Sequence, residues 1–331
     1  MPLVSVIIPT RNRPALLAEA LASVLGQTFG DFEVIVVDDG SEIPAEDGVR
    51  AFGDPRLRCL RQPHTGRSAA RNRAIAAASG ELLALLDDDD LFLDQKLATH
   101  VGWMASHPQV DATVSGLQII DSRGRPVQQL APWRDHPLLD LRSFLYMLGY
   151  APSAVVLRRA ALARLSHWFD PSLSYAEDTD FFLRLFAAGA RFDWIRQPLT
   201  AYRLSAGQNA LKQFAPLANC LKLIQRLLAR PNLPADVSGE RNRILANAYT
   251  VSALHVLLLG LEDLGRHQMA RALALAPPEA PADLVRMRRI LAGIARGLPR
   301  EQRRAYIDLV YKNLPPELAV YALTAGTVHR K

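Results

Sequence analysis

Four consecutive carboxylates, Asp87-Asp88-Asp89-Asp90, follow the apolar run Leu82-Leu83-Ala84-Leu85-Leu86, and the chain then returns to Leu91-Phe92-Leu93. Adjacent negative charges raise one another's pKa unless a cation intervenes. Hard divalent cations such as Mn2+ or Mg2+ are the natural counter-charge for such oxygens. A second acidic pair, Asp38-Asp39, ends the run Phe32–Val37 before the turn Gly40-Ser41. A third cluster, Glu177-Asp178-Thr179-Asp180, precedes Phe181 and Phe182. Carboxylates can hold a cation, or stay free and accept a proton. Each cluster also has a plainer reading. An acidic run can be a solvated loop, Asp39 can be a turn residue before Gly40, and Asp178 can complement a helix dipole.

The elements that must position these groups can be read from the apolar pattern. A short continuous apolar run marks a strand buried on both faces. Its C-terminal end is where open α/β sheets place their ligands. Leu3–Ile8 is such a strand, ending in Pro9-Thr10-Arg11-Asn12-Arg13. Pro14 then suits the first turn of a helix, whose inner face carries Leu16, Leu17, Ala20, Leu21 and Val24 to about Gly26. Leu57–Leu60 is a short third strand. A helix from about Ser68 to Ala78 carries Arg71 and Arg73 and leads into the strand at Leu82. Both arginines can pair with the carboxylates or with phosphate, or stand as surface residues. Strands alternating with helices indicate a parallel sheet with right-handed crossovers, so the acidic strand ends converge on one rim. Beyond it, Val110–Ile120 reads as a strand, Ser122–Arg125 as a hairpin turn, Ala154–Leu157 as a strand and Ala160 as the start of a helix.

The chain has 331 residues, 49% of them hydrophobic and 22% charged, which is ordinary for a globular protein with a substantial core. Its net charge of +6 is uneven, with 18 Lys and Arg against 9 Asp and Glu from Ala210 to Lys331. That asymmetry separates a slightly acidic α/β region, 1–209, from a basic helical region, 210–331. Helices are expected over Lys212–Leu228, Arg241–Leu264, His267–Ala276, Asp283–Gly297 and Glu301–Lys312. The stretch Leu245–Pro277 is only faintly repeat-like. Ile244–Leu261 reaches the minimum length of roughly 18 residues for a membrane span. It contains Asn247, Tyr249, Thr250, Ser252 and His255, so a buried helix is the better reading. A basic helical surface suits anionic lipid or an acidic partner. Nucleic acid is the weakest reading, because no recognised nucleic-acid motif accompanies it. Leu3–Ile8 is too short for a signal peptide. The two separated cysteines, Cys59 and Cys220, fit a reducing cytosol. No phosphate-loop, dinucleotide-binding, serine-hydrolase or zinc-protease motif is present.

Five segments together resemble the family 2 glycosyltransferases with the GT-A fold: Val4–Arg13, Val34–Ser41, Ser68–Ile75, Leu86–Asp90 and Ala176–Phe181. They stand in the family's order and spacing and cover roughly residues 1 to 205. The resemblance implies a mostly parallel central sheet flanked by helices, and inverting transfer of one sugar from a nucleotide-diphospho-sugar. It places Asp39 on the nucleotide base, Asp87 on the ribose and Asp89 on a Mn2+ or Mg2+ ion bridging the diphosphate. Pro9, Thr10 and Arg11 would line the nucleotide pocket, with Arg71 and Asp88 beside it. Asp178 would be the catalytic base, with Glu177 and Arg203 as secondary candidates. A carboxylate base and a metal-stabilised leaving group together need no separate acid.

Serine stands at Ser205, where many members carry a histidine after the pair matching Tyr202-Arg203. The processive Gln-x-x-Arg-Trp motif is missing. Ser205 implies that metal or diphosphate is held differently or more weakly than in those members. The missing motif and the lack of spanning helices indicate a single-addition enzyme acting on a glycan, lipid-linked or protein acceptor, with the acceptor pocket in the region Trp133–Ser153. It would work in cell-surface polysaccharide or glycoconjugate synthesis, in the cytoplasm or peripherally at the inner membrane face. Its helical tail would serve membrane contact, homo-oligomerisation or partner docking. The competing reading, favoured by Ser205, is a catalytically weak nucleotide-sugar-binding scaffold acting through its tail. A phosphohydrolase fits less well, since its nucleophilic Asp would follow the first strand, where Pro9-Thr10 stands.

Overall fold

A computed structural model describes residues 1–147, 149–204, 210–258 and 260–275. The chain divides into two compact units, the first spanning Met1–Gly207 and the second starting at Gln208. In the first, β1 (Val4–Thr10), β2 (Phe32–Asp39), β3 (Leu57–Gln62) and β4 (Leu82–Leu85) form the parallel half of a sheet in the order β3-β2-β1-β4. The connections are helical: α1 (Pro14–Leu25), the short α2 (Glu46–Arg50) and α3 (Arg67–Ala77). All residues of β1, β2 and β4 are buried, as expected for strands covered on both faces. Leu17, Ala20, Leu21 and Val24 of α1 pack on Val6, Ile8, Val34, Val36 and Leu86. Leu16 is half-buried at the edge of that face.

The second half of the sheet is mostly antiparallel, and local periodicity does not disclose its order. After β5 (Leu91–Phe92) and α4 (Lys96–Ser106), the long β6 (Ala112–Ile120) turns through a hairpin into β7 (Pro126–Leu130). Then follow α5 (Leu141–Met147), β8 (Val155–Arg158), α6 (Glu177–Ala187) and β9 (Phe192–Arg203). Strand β8 lies antiparallel between β4 and β6, β6 runs parallel to β9, and β5 closes the edge antiparallel to β9. The helix expected from Ala160 is instead a six-residue 3-10 segment, Arg159–Arg164.

The second unit is helical: α7 (Ala210–Leu228), α8 (Ala235–Gly239), α9 (Arg241–Leu258) and α10 (Glu262–Leu275). Tyr249, Ala246 and Ala272 form a small core with Leu221 and Leu275. The expected helix Arg241–Leu264 is therefore two helices. Gly260, at φ +71, supplies the left-handed residue that ends helices. No helix among the described residues is long and apolar enough to cross a membrane. The expected helices Asp283–Gly297 and Glu301–Lys312, and Ser205, lie outside the described residues.

Candidate active site

The parallel strands deliver their ends to one rim, and the chain leaves each end differently. Strand β1 leaves through Asn12, held in the left-handed region at φ 55. Its side-chain oxygen accepts the Glu42 N–H at 2.8 Å, and its own N–H donates to the Ser41 hydroxyl at 3.0 Å. Across the cleft, Ala176 (φ 61) turns the chain into α6 just before Glu177 and Asp178. These are the only non-glycine residues with positive φ among the described residues. Such strain characteristically gathers at functional sites.

The four carboxylates beyond β4 have four different environments. Asp87 receives the Arg71 guanidinium at 2.5 Å. Burial pushes its carboxyl up, but Arg71 and Arg67 overcome this and hold it below the usual range. Asp88 accepts the Thr10 hydroxyl at 2.8 Å and Arg13 Nη1 at 2.9 Å, yet burial still raises it to about 6. The same Arg13 nitrogen lies 2.8 Å from Asp89 Oδ2. Asp89 is the more exposed of the two, with 20% of its side chain accessible against 8% for Asp88. Asp90 points inward, accepting the Ser153 hydroxyl at 2.6 Å and the Arg203 N–H at 3.0 Å.

Beneath Asp90 a polar line enters the core. Thr200 Oγ1 donates to the Ser153 carbonyl at 3.0 Å, Lys96 Nζ donates to Thr200 at 3.1 Å, and His100 lies 3.4 Å from Lys96. Burial lowers Lys96 to about 7, with Asp90 opposing, and pushes His100 well below its ordinary value. Arg203, a secondary candidate, staples the acidic loop. Its Nε donates to the Asp89 carbonyl at 2.9 Å and its Nη2 to Glu19 on α1 at 2.5 Å.

Arg71 joins the two acidic clusters. Its side chain is 2% exposed, with Nη2 on Asp87 and Nη1 on Glu177 Oε1 at 2.8 Å. Its guanidinium also lies over the Phe169 ring at 5.2 Å. The resemblance puts Arg71 beside the nucleotide, and the structure engages two of its nitrogens with Asp87 and Glu177. The bridge ties the start of α6 to the end of β4. The other secondary candidate, Glu177, is likewise committed to Arg71. Among the described residues Asp178 takes only the Thr179 N–H at 2.6 Å and the Thr179 hydroxyl at 3.3 Å. Burial and Glu177 raise its carboxyl to about 6, against the pull of Arg71.

Pro9 and Thr10 are buried in the end of β1, whereas Arg11 is exposed beside them. Asp39 sits beneath the loop that follows β3. Its Oδ1 accepts Gln62 Nε2 at 2.8 Å and the Thr65 N–H at 2.9 Å. Its Oδ2 accepts His64 Nδ1 at 2.7 Å and the Gly66 N–H at 2.9 Å. These donors hold the carboxyl below its ordinary value despite its burial. Gly40 makes this packing feasible, since a Cβ there would lie 2.7 Å from the His64 nitrogen at φ +75. Gly40→Ala should cost on the order of 2–3 kcal/mol, from left-handed strain plus the clash. Urea denaturation checks this.

Three residues of the rim were not singled out from the sequence: Arg13, His64 and Ser153. For Arg13 the signal was a cation three residues beyond the end of β1, able to reach across to β4. The other two act through contacts 25 and 63 residues away, which no local pattern marks. Among the described residues no three acidic, histidine or cysteine side chains converge as a metal cage. The donor set suits instead a hard cation held by one carboxylate and completed by phosphate oxygens, the usual habit of Mg2+ and Mn2+ sites.

The mixed sheet with helices on its faces and carboxylates beyond its fourth strand is the GT-A architecture. Residues 5–166 match the Glycosyl transferase family 2 profile, and the chain belongs to that family. The uncharacterized glycosyltransferase MJ1057 of Methanocaldococcus jannaschii is 29% identical over 219 residues, covering 64% of this chain and 74% of that protein. WfgD of Escherichia coli, a UDP-Glc:alpha-D-GlcNAc-diphosphoundecaprenol beta-1,3-glucosyltransferase, is 30% identical over 168 residues. That match covers 50% of this chain and 64% of WfgD. The chain thus spans about two thirds of these curated relatives. The mannosyltransferase PcManGT of Pyrobaculum calidifontis, solved with GDP-Man and Mn2+, shares the fold at a TM-score of 0.61 and 20% identity. The superposition covers 94% of this chain and 87% of that one.

Proposed function

We propose that the protein transfers one sugar from a nucleotide-diphospho-sugar to an acceptor hydroxyl with inversion at the anomeric carbon. The observation that carries this reading is the Arg71 bridge. It sets Asp178, which no cation among the described residues engages directly, across from the acidic end of β4. In the transfer, the acceptor oxygen bonds to the anomeric carbon as its proton passes to the Asp178 carboxylate. The bond from that carbon to the diphosphate oxygen breaks, and its electron pair leaves with the nucleoside diphosphate. The transition state is oxocarbenium-like, so positive charge on the ring matches negative charge on the leaving group.

Asp89 is the residue proposed to hold Mn2+ or Mg2+, and Asp87 to face the ribose. When bound, the cation neutralises the departing diphosphate. Arg13 bridges Asp88 and Asp89 and so competes for the same oxygens. The Mn2+ and GDP-Man of PcManGT and the diphosphoundecaprenol acceptor of WfgD support a metal, a nucleotide-sugar donor and a lipid-linked or glycan acceptor. Residues 1–209 are assigned to catalysis. The basic region 210–331 is assigned to docking at an anionic membrane face, a partner or a second copy.

A donor screen by nucleotide-sugar hydrolysis, with and without Mn2+, tests the reading. Turnover of no donor, with or without acceptor glycans, would count against it. Asp89→Ala should weaken nucleoside diphosphate binding at least about ten-fold in Mn2+ and leave metal-free binding unchanged. Equal calorimetric affinities of variant and parent in Mn2+ would remove Asp89 from the metal site.

A further inference from the structure

The two arginines at the end of β4 are held in different ways. The Arg71 side chain is 2% exposed, and each terminal nitrogen has its own carboxylate partner, Asp87 and Glu177. The Arg13 side chain is 44% exposed and shares one nitrogen, Nη1, between Asp88 at 2.9 Å and Asp89 at 2.8 Å. Among the described residues its Nε and Nη2 make no hydrogen bond. A half-exposed guanidinium held through one nitrogen exchanges partners at little cost, since ion pairs that face solvent are weak.

Only the side chain has that freedom. Asn12 is pinned by Ser41 and Glu42, and the Arg13 carbonyl accepts the Leu17 N–H at 3.0 Å as α1 begins. The backbone therefore keeps Arg13 at the acidic rim. Its two partners differ in firmness. Asp88 is 8% exposed, and its other oxygen takes the Thr10 hydroxyl at 2.8 Å. Asp89 is 20% exposed, and among the described residues no side chain but Arg13 donates to it. Asp88 is the fixed partner and Asp89 the exchangeable one.

Charge gives the exchange a direction. Asp88, Asp89 and Arg13 together carry one net negative charge, which repels a diphosphate. A divalent ion on Asp89 turns the group to one net positive charge and repels the guanidinium from that carboxylate. Asp88 still holds Nη1, so Nε and Nη2 stay beside the ion and suit phosphate oxygens.

We propose that Arg13 is a resident counter-ion, which a divalent cation displaces from Asp89 and whose free nitrogens then bind an oxygen of the donor's diphosphate. The inference deepens the nucleotide-sugar reading and rests on it. It makes the rim receptive to diphosphate once a cation has bound. By linkage, the diphosphate strengthens cation binding by the same factor.

Titration of the full chain with Mn2+ alone, read by the paramagnetic resonance of the free ion, tests the displacement. Arg13→Leu should bind Mn2+ roughly five-fold more tightly than the parent, because no guanidinium has to move. Arg13→Lys keeps the charge and should stay near the parent. Arg11→Leu removes an exposed charge from the same loop that pairs with neither carboxylate, and should also stay near the parent. Calorimetry with UDP and GDP in saturating Mn2+ reads the second step, and there the sign reverses. Arg13→Leu should bind the tighter of the two roughly ten-fold more weakly than the parent. A merely structural arginine would lower both affinities together. Should the leucine variant fail to fold, Arg13→Gln makes the same comparison. Unchanged or weaker Mn2+ binding in the neutral Arg13 variants, an equal gain in Arg11→Leu, or unchanged nucleotide affinity would overturn the inference while leaving the donor reading standing. Binding of neither nucleotide by the parent in Mn2+ would overturn both.

Discussion

Asp178→Asn should lower kcat about a thousand-fold, the middle of the range for losing a positioned general base. The carboxamide keeps the volume and can still accept the Thr179 N–H, so α6 should start where it does now. Nucleoside diphosphate affinity should stay within about two-fold, because no base is needed for binding. Stability should hold or rise, since the substitution removes a desolvated charge beside Glu177, which is 2% exposed. The pH profile makes the assignment specific. A base must be deprotonated to act, and burial together with Glu177 raises Asp178 to about 6. The parent's kcat/KM should therefore climb with unit slope as pH rises through about 6 and level above it. Asp88 is also raised to about 6, through burial. Residual activity of Asp178→Asn that no longer varies with pH assigns the acid limb to Asp178. Persistence of the limb in the variant assigns it to Asp88 and removes Asp178 from the role of base.

The legible parts of the molecule were those in which local pattern and burial coincide. β1, β2 and β4 are apolar runs buried on both faces, and Pro14 marks the start of α1. The acidic residues announced themselves because four charges in a row have no local reason to follow a core strand. Helix α4 went unnoticed for the opposite reason. Its buried face holds Lys96 and His100 beside Leu97 and Met104, so polar residues occupy positions that periodicity reserves for apolar ones. The antiparallel half of the sheet was equally hidden. Placing β8 between β4 and β6 satisfies the whole sheet and leaves no trace in any one strand. The sorting of the four carboxylates was hidden too. Arg13 reaches Asp88 across 75 residues and Arg71 reaches Glu177 across 106. Sequence types said that cations were available, and only the fold says which carboxylate each one takes.

Removal of the Arg71 guanidinium should be the most destabilising single change at the rim. Arg71→Leu keeps an apolar stem over Phe169 but leaves Asp87 and Glu177 without their shared cation. Glu177 and Arg71 are each 2% exposed at the side chain, so water does not replace the lost partner. Breaking a buried pair from one side typically costs about 3–5 kcal/mol, mostly as the penalty of the stranded charge. The pH dependence gives the sign. Asp87 is held below the usual carboxylate range in the folded parent, burial being overcome chiefly by Arg71. Its contribution is present above the unfolded-state value, about 4, and is lost as pH falls through the lower folded value. In Arg71→Leu the buried Glu177 keeps only the longer 3.5 Å contact to the exposed Arg67 and Asp87 only the more distant charge of Arg67, so acid neutralises what the variant cannot compensate. The stability gap between parent and variant should be wide at pH 7 and narrow toward pH 4.5 in urea denaturation. Adding Glu177→Gln should recover part of it at pH 7, because the second stranded charge is gone. A gap under about 1 kcal/mol at pH 7 would mean that the bridge does not hold α6 to the end of β4. The position of Asp178 would then need another cause.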